Sequence, residues 1–234
     1  MAQIVSRVIK QGQPDYPTRL LVRLDEKAPK DMAVLGNVSI LKQNLVGVFC
    51  ADKSHNDLLI EVDGLVRKWC AEDKTFISGF QSTKEKAIAK IILDYQRPAV
   101  LCLGRALAKG NISPAIKKGV LADRLLVLCP FENAERATKE LDIQRNLIVA
   151  ALSDSILVAH RKGDYVTENL LAETNQWNIP TTVLELTKEV NNIDSGIPGS
   201  RYSVVKRVLP LFSKVEKPGQ VIGKNGLGEV RPPH

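Results

Sequence analysis

Histidine is scarce in this chain, and its three copies (His55, His160 and His234) are far apart. The four cysteines, Cys50, Cys70, Cys102 and Cys129, include no C-x-x-C pair. A structural zinc site needs closer pairs and more histidine, so these thiols read as buried and reduced, and no metal is expected. No serine or cysteine stands in a nucleophile-elbow pattern, which leaves a hydrolytic triad without support. There is no Walker A sequence, and no G-x-G-x-x-G follows the first strand of the regular region. ATP hydrolysis and dinucleotide binding are thereby excluded as readings, and no cofactor is expected. The longest apolar runs, Ala99–Leu103 and Leu125–Cys129, are strand-length and far too short to span a bilayer. The first residues, Met1 to Arg7, lack the apolar core of a signal peptide, so a cytoplasmic location is expected. Aromatics are few, at 5% of residues, which limits base stacking.

What is present is an α/β pattern. Apolar residues make up 44% of the 234, enough for one large domain with small additions. Residues 1–44 read as a lead-in packed on the core, punctuated by Tyr16-Pro17, Ala28-Pro29 and Leu35-Gly36-Asn37. From residue 45 to 190, apolar strands alternate with amphipathic helices. Strands are expected at Leu45–Cys50, Thr75–Ser78, Pro98–Leu103, Arg124–Cys129, Ser155–Ala159 and Thr181–Leu184. Helices are expected at Asp57–Cys70, Thr83–Leu93, Glu135–Leu152 and Tyr165–Trp177, with one turn after Pro114. Strands that are apolar throughout indicate a mostly parallel sheet covered by helices on both faces. Residues 191–234 form a basic tail, with a short helix expected over Ser203–Phe212 and a disordered or extended arm beyond Lys217. The formal charge is +7, and from Arg201 onward seven basic residues face only Glu216 and Glu229. A nearly neutral body with a basic tail suits contact with a polyanion.

Open parallel sheets bind ligands at the carboxyl ends of their strands. Two loops there have the chemistry of a phosphate cradle. In Ser78-Gly79-Phe80-Gln81-Ser82-Thr83, the glycine permits a sharp turn into a helix whose free N–H groups can meet an anion. In Lys162-Gly163-Asp164-Tyr165-Val166-Thr167, Gly163 and Thr167 have the same potential. Serine and glycine before a helix are also ordinary capping residues. Arg105, Arg145, Lys53 and Lys162 fall on the same rim, and a guanidinium there suits phosphate. Asn146 accompanies Arg145. Glu85 and Glu168 sit in first turns of rim helices, where a carboxylate ordinarily serves as a dipole or capping partner. No catalytic set emerges, and binding is expected rather than catalysis.

These residues resemble a known family, DNA processing protein A (DprA, also called Smf). The likeness runs through Tyr16-Pro17, Leu20, Leu24, Ala28-Pro29, Leu35-Gly36-Asn37 and Leu41, then Ile77-Ser78-Gly79. It is most specific at Arg145-Asn146-Leu147-Ile148-Val149-Ala150-Ala151-Leu152-Ser153, and it extends in order over residues 14–185. The resemblance implies a Rossmann-like domain that binds single-stranded DNA, loads a RecA-type recombinase and dimerises through that domain. The sequence departs from the family where its first strand ends in Gly-Ser-Arg, since this chain has Phe49-Cys50-Ala51-Asp52. Ser82-Thr83-Lys84-Glu85 replaces the family's Gly-Ile-Asp, and Leu147 replaces its second arginine. Little room is left for an N-terminal helical domain, and no winged-helix domain is legible at the C-terminus.

Three functions are compatible with these residues. The leading one is a single-stranded DNA-binding protein of DNA processing, recombination or uptake. Its phosphate contacts would come from Arg145, Asn146, Ser78, Gly79, Ser82, Arg105, Lys53, Lys162, Gly163 and Thr167. The alternative is a nucleotide pocket, either a sensor or a phosphoribohydrolase-like enzyme. There Gly163 and Thr167 would hold a phosphate and Glu168 would polarise a glycosidic bond. The third is a Rossmann-like scaffold used only for protein contacts.

Overall fold

The computed structural model describes residues 6–50, 56–107, 113–131, 134–160, 165–188 and 202–209. In chain order the elements are β1 (Ser6–Lys10), α1 (Thr18–Leu24), β2 (Asp31–Leu35), β3 (Leu45–Cys50), α2 (Asn56–Ala71), β4 (Thr75–Ser78) and α3 (Thr83–Asp94). They continue with β5 (Ala99–Cys102), α4 (Pro114–Leu121), β6 (Leu125–Cys129), α5 (Lys139–Leu152), β7 (Ser155–His160), α6 (Tyr165–Gln176), β8 (Thr181–Lys188) and β9 (Tyr202–Leu209).

Among the described residues all nine strands belong to one sheet, in the order β1-β2-β6-β5-β4-β3-β7-β8-β9. The six central strands, β6 through β8, are parallel. Antiparallel strands extend the sheet at both margins: β2 and β1 beyond β6, and β9 beyond β8. The order reverses at β3, which has β4 on one side and β7 on the other. In sheets of this kind that reversal opens a crevice beyond the carboxyl ends of the strands.

Two apolar layers hold the sheet. Leu45 and Phe49 of β3 and Leu126 and Leu128 of β6 face a layer closed by Leu20 of α1, Ile148 and Leu152 of α5 and Leu170 of α6. The alternate residues, Val46, Val48, Leu125 and Val127, face α2, α3 and α4 through Leu58, Val62, Ile88, Ile92 and Val120. This two-residue alternation with both faces apolar explains why β3, β4 and β6 are buried at every position. Cys50, Cys70, Cys102 and Cys129 are buried and form no disulfide among the described residues. Burial pushes the Cys102 thiol up to about 12 and raises that of Cys70.

Four local expectations are corrected. Of the segment expected to form a helix over Ser203–Phe212, residues 203–209 belong to the strand β9, because Val204, Val205 and Val208 are β-branched and pair with β8. That pairing prolongs β8 to Lys188, well past Leu184. Helix α5 begins at Lys139 rather than Glu135, because Thr138 is extended (φ −120°, ψ 167°) and its hydroxyl caps the Leu141 amide. The lead-in, whose sequence shows only turn signals, also supplies β1 and β2 to the sheet. The arm expected beyond Lys217 and the Ala51–His55 loop lie outside the described residues.

Helix α5 is anchored at its C-terminal end by α1. The Arg19 guanidinium donates to the Leu152 carbonyl at 2.7 Å and to Asp154 at 2.8 Å. Arg23 donates to the carbonyls of Ala151 and Ser153 at 2.8 and 2.7 Å. Two cations therefore satisfy carbonyls that a helix C-terminus leaves without partners. Replacing Arg23 with alanine should lower unfolding stability by about 1–2 kcal/mol, read as a lower urea midpoint with unchanged slope.

Candidate nucleic-acid interface

Helix α5 follows β6 in the chain, so its N-terminus lies at the carboxyl edge of the sheet. Helical side chains lean towards the N-terminus. Arg145, in the second turn, is therefore directed to that edge rather than into the core. Its residue is only 6% exposed. The guanidinium lies against Gly79, where an added Cβ would sit 2.3 Å from Nη1 and 2.5 Å from Cζ. A side chain at position 79 would displace the guanidinium from this place.

Arg145 lines a cleft of ≈ 390 Å³ at the point of strand-order reversal. Phe49 and Cys50 come from the end of β3. Gln81, Ser82 and Glu85 come from the loop after β4 and the first turn of α3. Asp142 and Asn146 accompany Arg145 on α5, and Val166, Thr167 and Leu170 come from α6. Four elements widely separated in sequence thus converge on one opening.

Arg145 is held on two sides. Its Nε donates to Asn146 Oδ1 at 3.1 Å. Its Nη1 stands 3.4 Å from Asp142 Oδ1, an ion pair one helical turn apart. That approach lacks hydrogen-bond geometry: neither Nη1 nor Asp142 Oδ1 has a hydrogen-bond partner among the described residues. Gly104, at the end of β5, admits this carboxylate, since a Cβ there would meet Asp142 Oδ1 at 2.7 Å.

The second carboxylate of the cleft is Glu85. Its Oε1 accepts the Cys50 amide at 3.2 Å and its Oε2 the Gln81 amide at 3.0 Å. Ser82 caps the helix: its hydroxyl accepts from the Glu85 amide at 3.0 Å and donates to the Cys50 carbonyl at 2.8 Å. This is a capping box, Ser-x-x-Glu, extended so that the glutamate ties the loop after β4 to the end of β3. Burial raises the Glu85 carboxyl above its ordinary value. The amides of Cys50, Gln81 and Ser82 and the charge of Arg145 pull the other way without reversing the shift.

The residues named from the sequence therefore separate into groups. Arg145, Asn146, Ser82 and Thr167 meet in the cleft, and Gly79 underlies Arg145. Ser78 is fully buried below it, its hydroxyl accepting the Phe80 amide at 3.2 Å. Arg105 is exposed and lies outside the cleft lining. Lys53, Lys162 and Gly163 lie outside the described residues. Glu168, the acid of the alternative reading, is exposed and off the cleft. Free amides are expected from the sequence of the Ser78–Thr83 loop, but the Gln81 amide and that of Glu85 just beyond it are already bonded within the protein. Asp142 escaped the sequence reading, although its place three residues before Arg145 is the spacing of a helical ion pair. Among the described residues no three His, Cys, Asp or Glu side chains gather as a metal would need. Nor is any helix there long and apolar enough to cross a membrane.

The sequence profile of the DNA recombination-mediator protein A family matches residues 7–176. The chain belongs to this family. A search of curated proteins finds no match. Among solved structures, the fold is shared with DNA processing protein A of Streptococcus pneumoniae, at 18% identity and a TM-score of 0.59, over 80% of this chain and 64% of that one. It is shared also with DNA processing protein A of Helicobacter pylori, at 16% identity and a TM-score of 0.61, over 81% and 84% of the two chains. The H. pylori structure is described for that protein's mode of binding single-stranded DNA. The family member described here thus spans less than two thirds of the S. pneumoniae chain.

The shift at Glu85 has a testable sign. The folded protein holds that proton more tightly than the unfolded chain does. The resulting stability is complete below the ordinary value of 4.5 and is lost as pH rises through the higher, folded-state midpoint. Arg145 and Asp142 from α5 and the Cys50 thiol from β3 are the other ionisable groups lining the cleft. A ¹³C NMR titration of the Glu85 carboxyl should place its midpoint above 4.5. The stability difference between wild type and Glu85→Gln should fall with rising pH across the same window.

Proposed function

We propose that this protein binds single-stranded DNA along the carboxyl edge of its sheet, in DNA processing, recombination or uptake, and that Arg145 is its central phosphate contact. One observation supports this above the others. In a member of the DNA recombination-mediator family, a nearly buried guanidinium lines the cleft at the strand-order reversal with one nitrogen lacking a hydrogen-bond partner among the described residues. A buried arginine whose bonds were all internal would be read as structural. Nη1 instead has donor capacity for an incoming oxygen, and Asn146 fixes the plane in which it points.

The contacts are those of a backbone reader. Arg145 takes a phosphate oxygen, and Thr167 of α6 lines the same cleft. Ser82 and Asn146 keep the floor and the guanidinium in place. Arg105, Lys53, Lys162 and Gly163 are proposed from the sequence as further contacts, and Ser78 and Gly79 as support for the Arg145 guanidinium. Tyr165, 74% exposed beside Val166 and Thr167, offers a face for an unstacked base. The basic surplus of the C-terminal segment adds attraction that does not depend on sequence. By analogy with the family this binding would serve a RecA-type recombinase, through a homodimer, in the cytoplasm. No bond-breaking step is assigned. The nucleotide-hydrolase alternative is disfavoured because Glu168 stands away from the cleft.

Fluorescence anisotropy with labelled oligo-dT over a range of salt tests the reading. Arg145→Ala should weaken binding at least about tenfold. It should also flatten the slope of log K against log salt by about 0.7 for each phosphate no longer neutralised. Arg145→Lys, which keeps the charge without the fork, should fall between. Circular dichroism checks that both variants fold. Unchanged affinity and slope in the folded variants would refute the role of Arg145. A thermal shift given by one nucleoside monophosphate alone, without oligonucleotide binding, would favour a free nucleotide instead.

A further inference from the structure

The cleft already contains an anion of its own. Two amides that an anionic oxygen would use, those of Cys50 and Gln81, converge on opposite oxygens of the Glu85 carboxylate. They come from separate segments, the end of β3 and the loop after β4, so only a group lying between the two can bridge them. A bidentate carboxylate and a phosphate face present similar oxygens to such donors. Across the same cleft stands Arg145 Nη1, nine-tenths buried and without a hydrogen-bond partner among the described residues. The cavity thus keeps one donor open while its amide donors are taken.

We propose that Glu85 is an internal competitor for anionic oxygen and sets the affinity of this cleft for phosphate-bearing ligands. The inference rests on the phosphate-binding reading of the same site and adds the residue that limits it. With Glu85 in place, an incoming phosphate meets Arg145 but also a carboxylate on the amides beneath, with Asp142 close by. Like charges in a partly dehydrated cleft repel strongly. Anionic ligands are therefore held weakly at the cleft floor, and tight binding requires the carboxylate to lose its charge or leave its amides.

The test compares wild type, Glu85→Gln and Glu85→Asp, with sulfate as a probe because it stays fully charged across the working pH range. Binding is followed through the amide signals of Cys50 and Gln81 in ¹H–¹⁵N NMR. Glu85→Gln should bind sulfate at least about tenfold more tightly, with the largest shifts at those two amides. Glu85→Asp, which keeps the charge on a shorter arm, should stay near wild type and guards against a general loosening of the loop. If Glu85→Gln folds and its sulfate affinity is unchanged, the inference is overturned. It is overturned equally if both variants gain alike. Oligo-dT binding separates this outcome from the broader reading. A sulfate gain in Glu85→Gln without oligonucleotide binding by any form keeps the competitor and removes the DNA role. Arg145-dependent oligonucleotide binding with no effect of Glu85→Gln on either ligand keeps the DNA role and removes the competitor.

Discussion

The site is organised by one constraint: a permanently charged guanidinium lies almost out of water at the carboxyl edge of a parallel sheet. A buried cation must be compensated, and the polar groups and glycines around Arg145 are arranged by that demand. Asn146 takes one nitrogen, Asp142 comes within 3.4 Å of another, and Gly79 removes the side chain that would push the plane away. Gly104 in turn makes space for Asp142. The cleft's shape and its charge are therefore two results of one placement. Clamping the far end of α5 by Arg19 and Arg23 keeps that placement steady.

Much of the architecture was legible in the chain. The central strands announce themselves as continuous apolar runs, and β3, β4 and the start of α3 fall at the residues the pattern marks. The margins were harder. Strands β1, β2 and β9 are short or mixed in polarity because each is completed by pairing with a distant strand, information no local window contains. In β9, Lys206 and Arg207 interrupt the valines, and the run resembles an amphipathic helix until its partner β8 is known.

The cleft divides along the same line. Arg145, Asn146, Ser82 and Thr167 were legible as cleft residues because each belongs to a loop or helix that follows a strand end, where the topology of open sheets directs attention. The internal pairing of the site was not. The spacing Ser82-x-x-Glu85 marks a cap, but its carboxylate also reaches the Cys50 amide, thirty-five positions earlier in the chain. Local pattern shows which groups are present, whereas their mutual satisfaction depends on the packed geometry.

The four thiols carry a separate consequence. They sit on β3, α2, β5 and β6, inside both apolar layers, and none exceeds 2% exposure. A maleimide or iodoacetamide cannot approach Cys70, Cys102 and Cys129 while the sheet is closed, and burial keeps the Cys102 thiol protonated until the surrounding layers part. Alkylation thus becomes a clock for opening of the whole domain, with reporters built into the central strands and no label added to the surface.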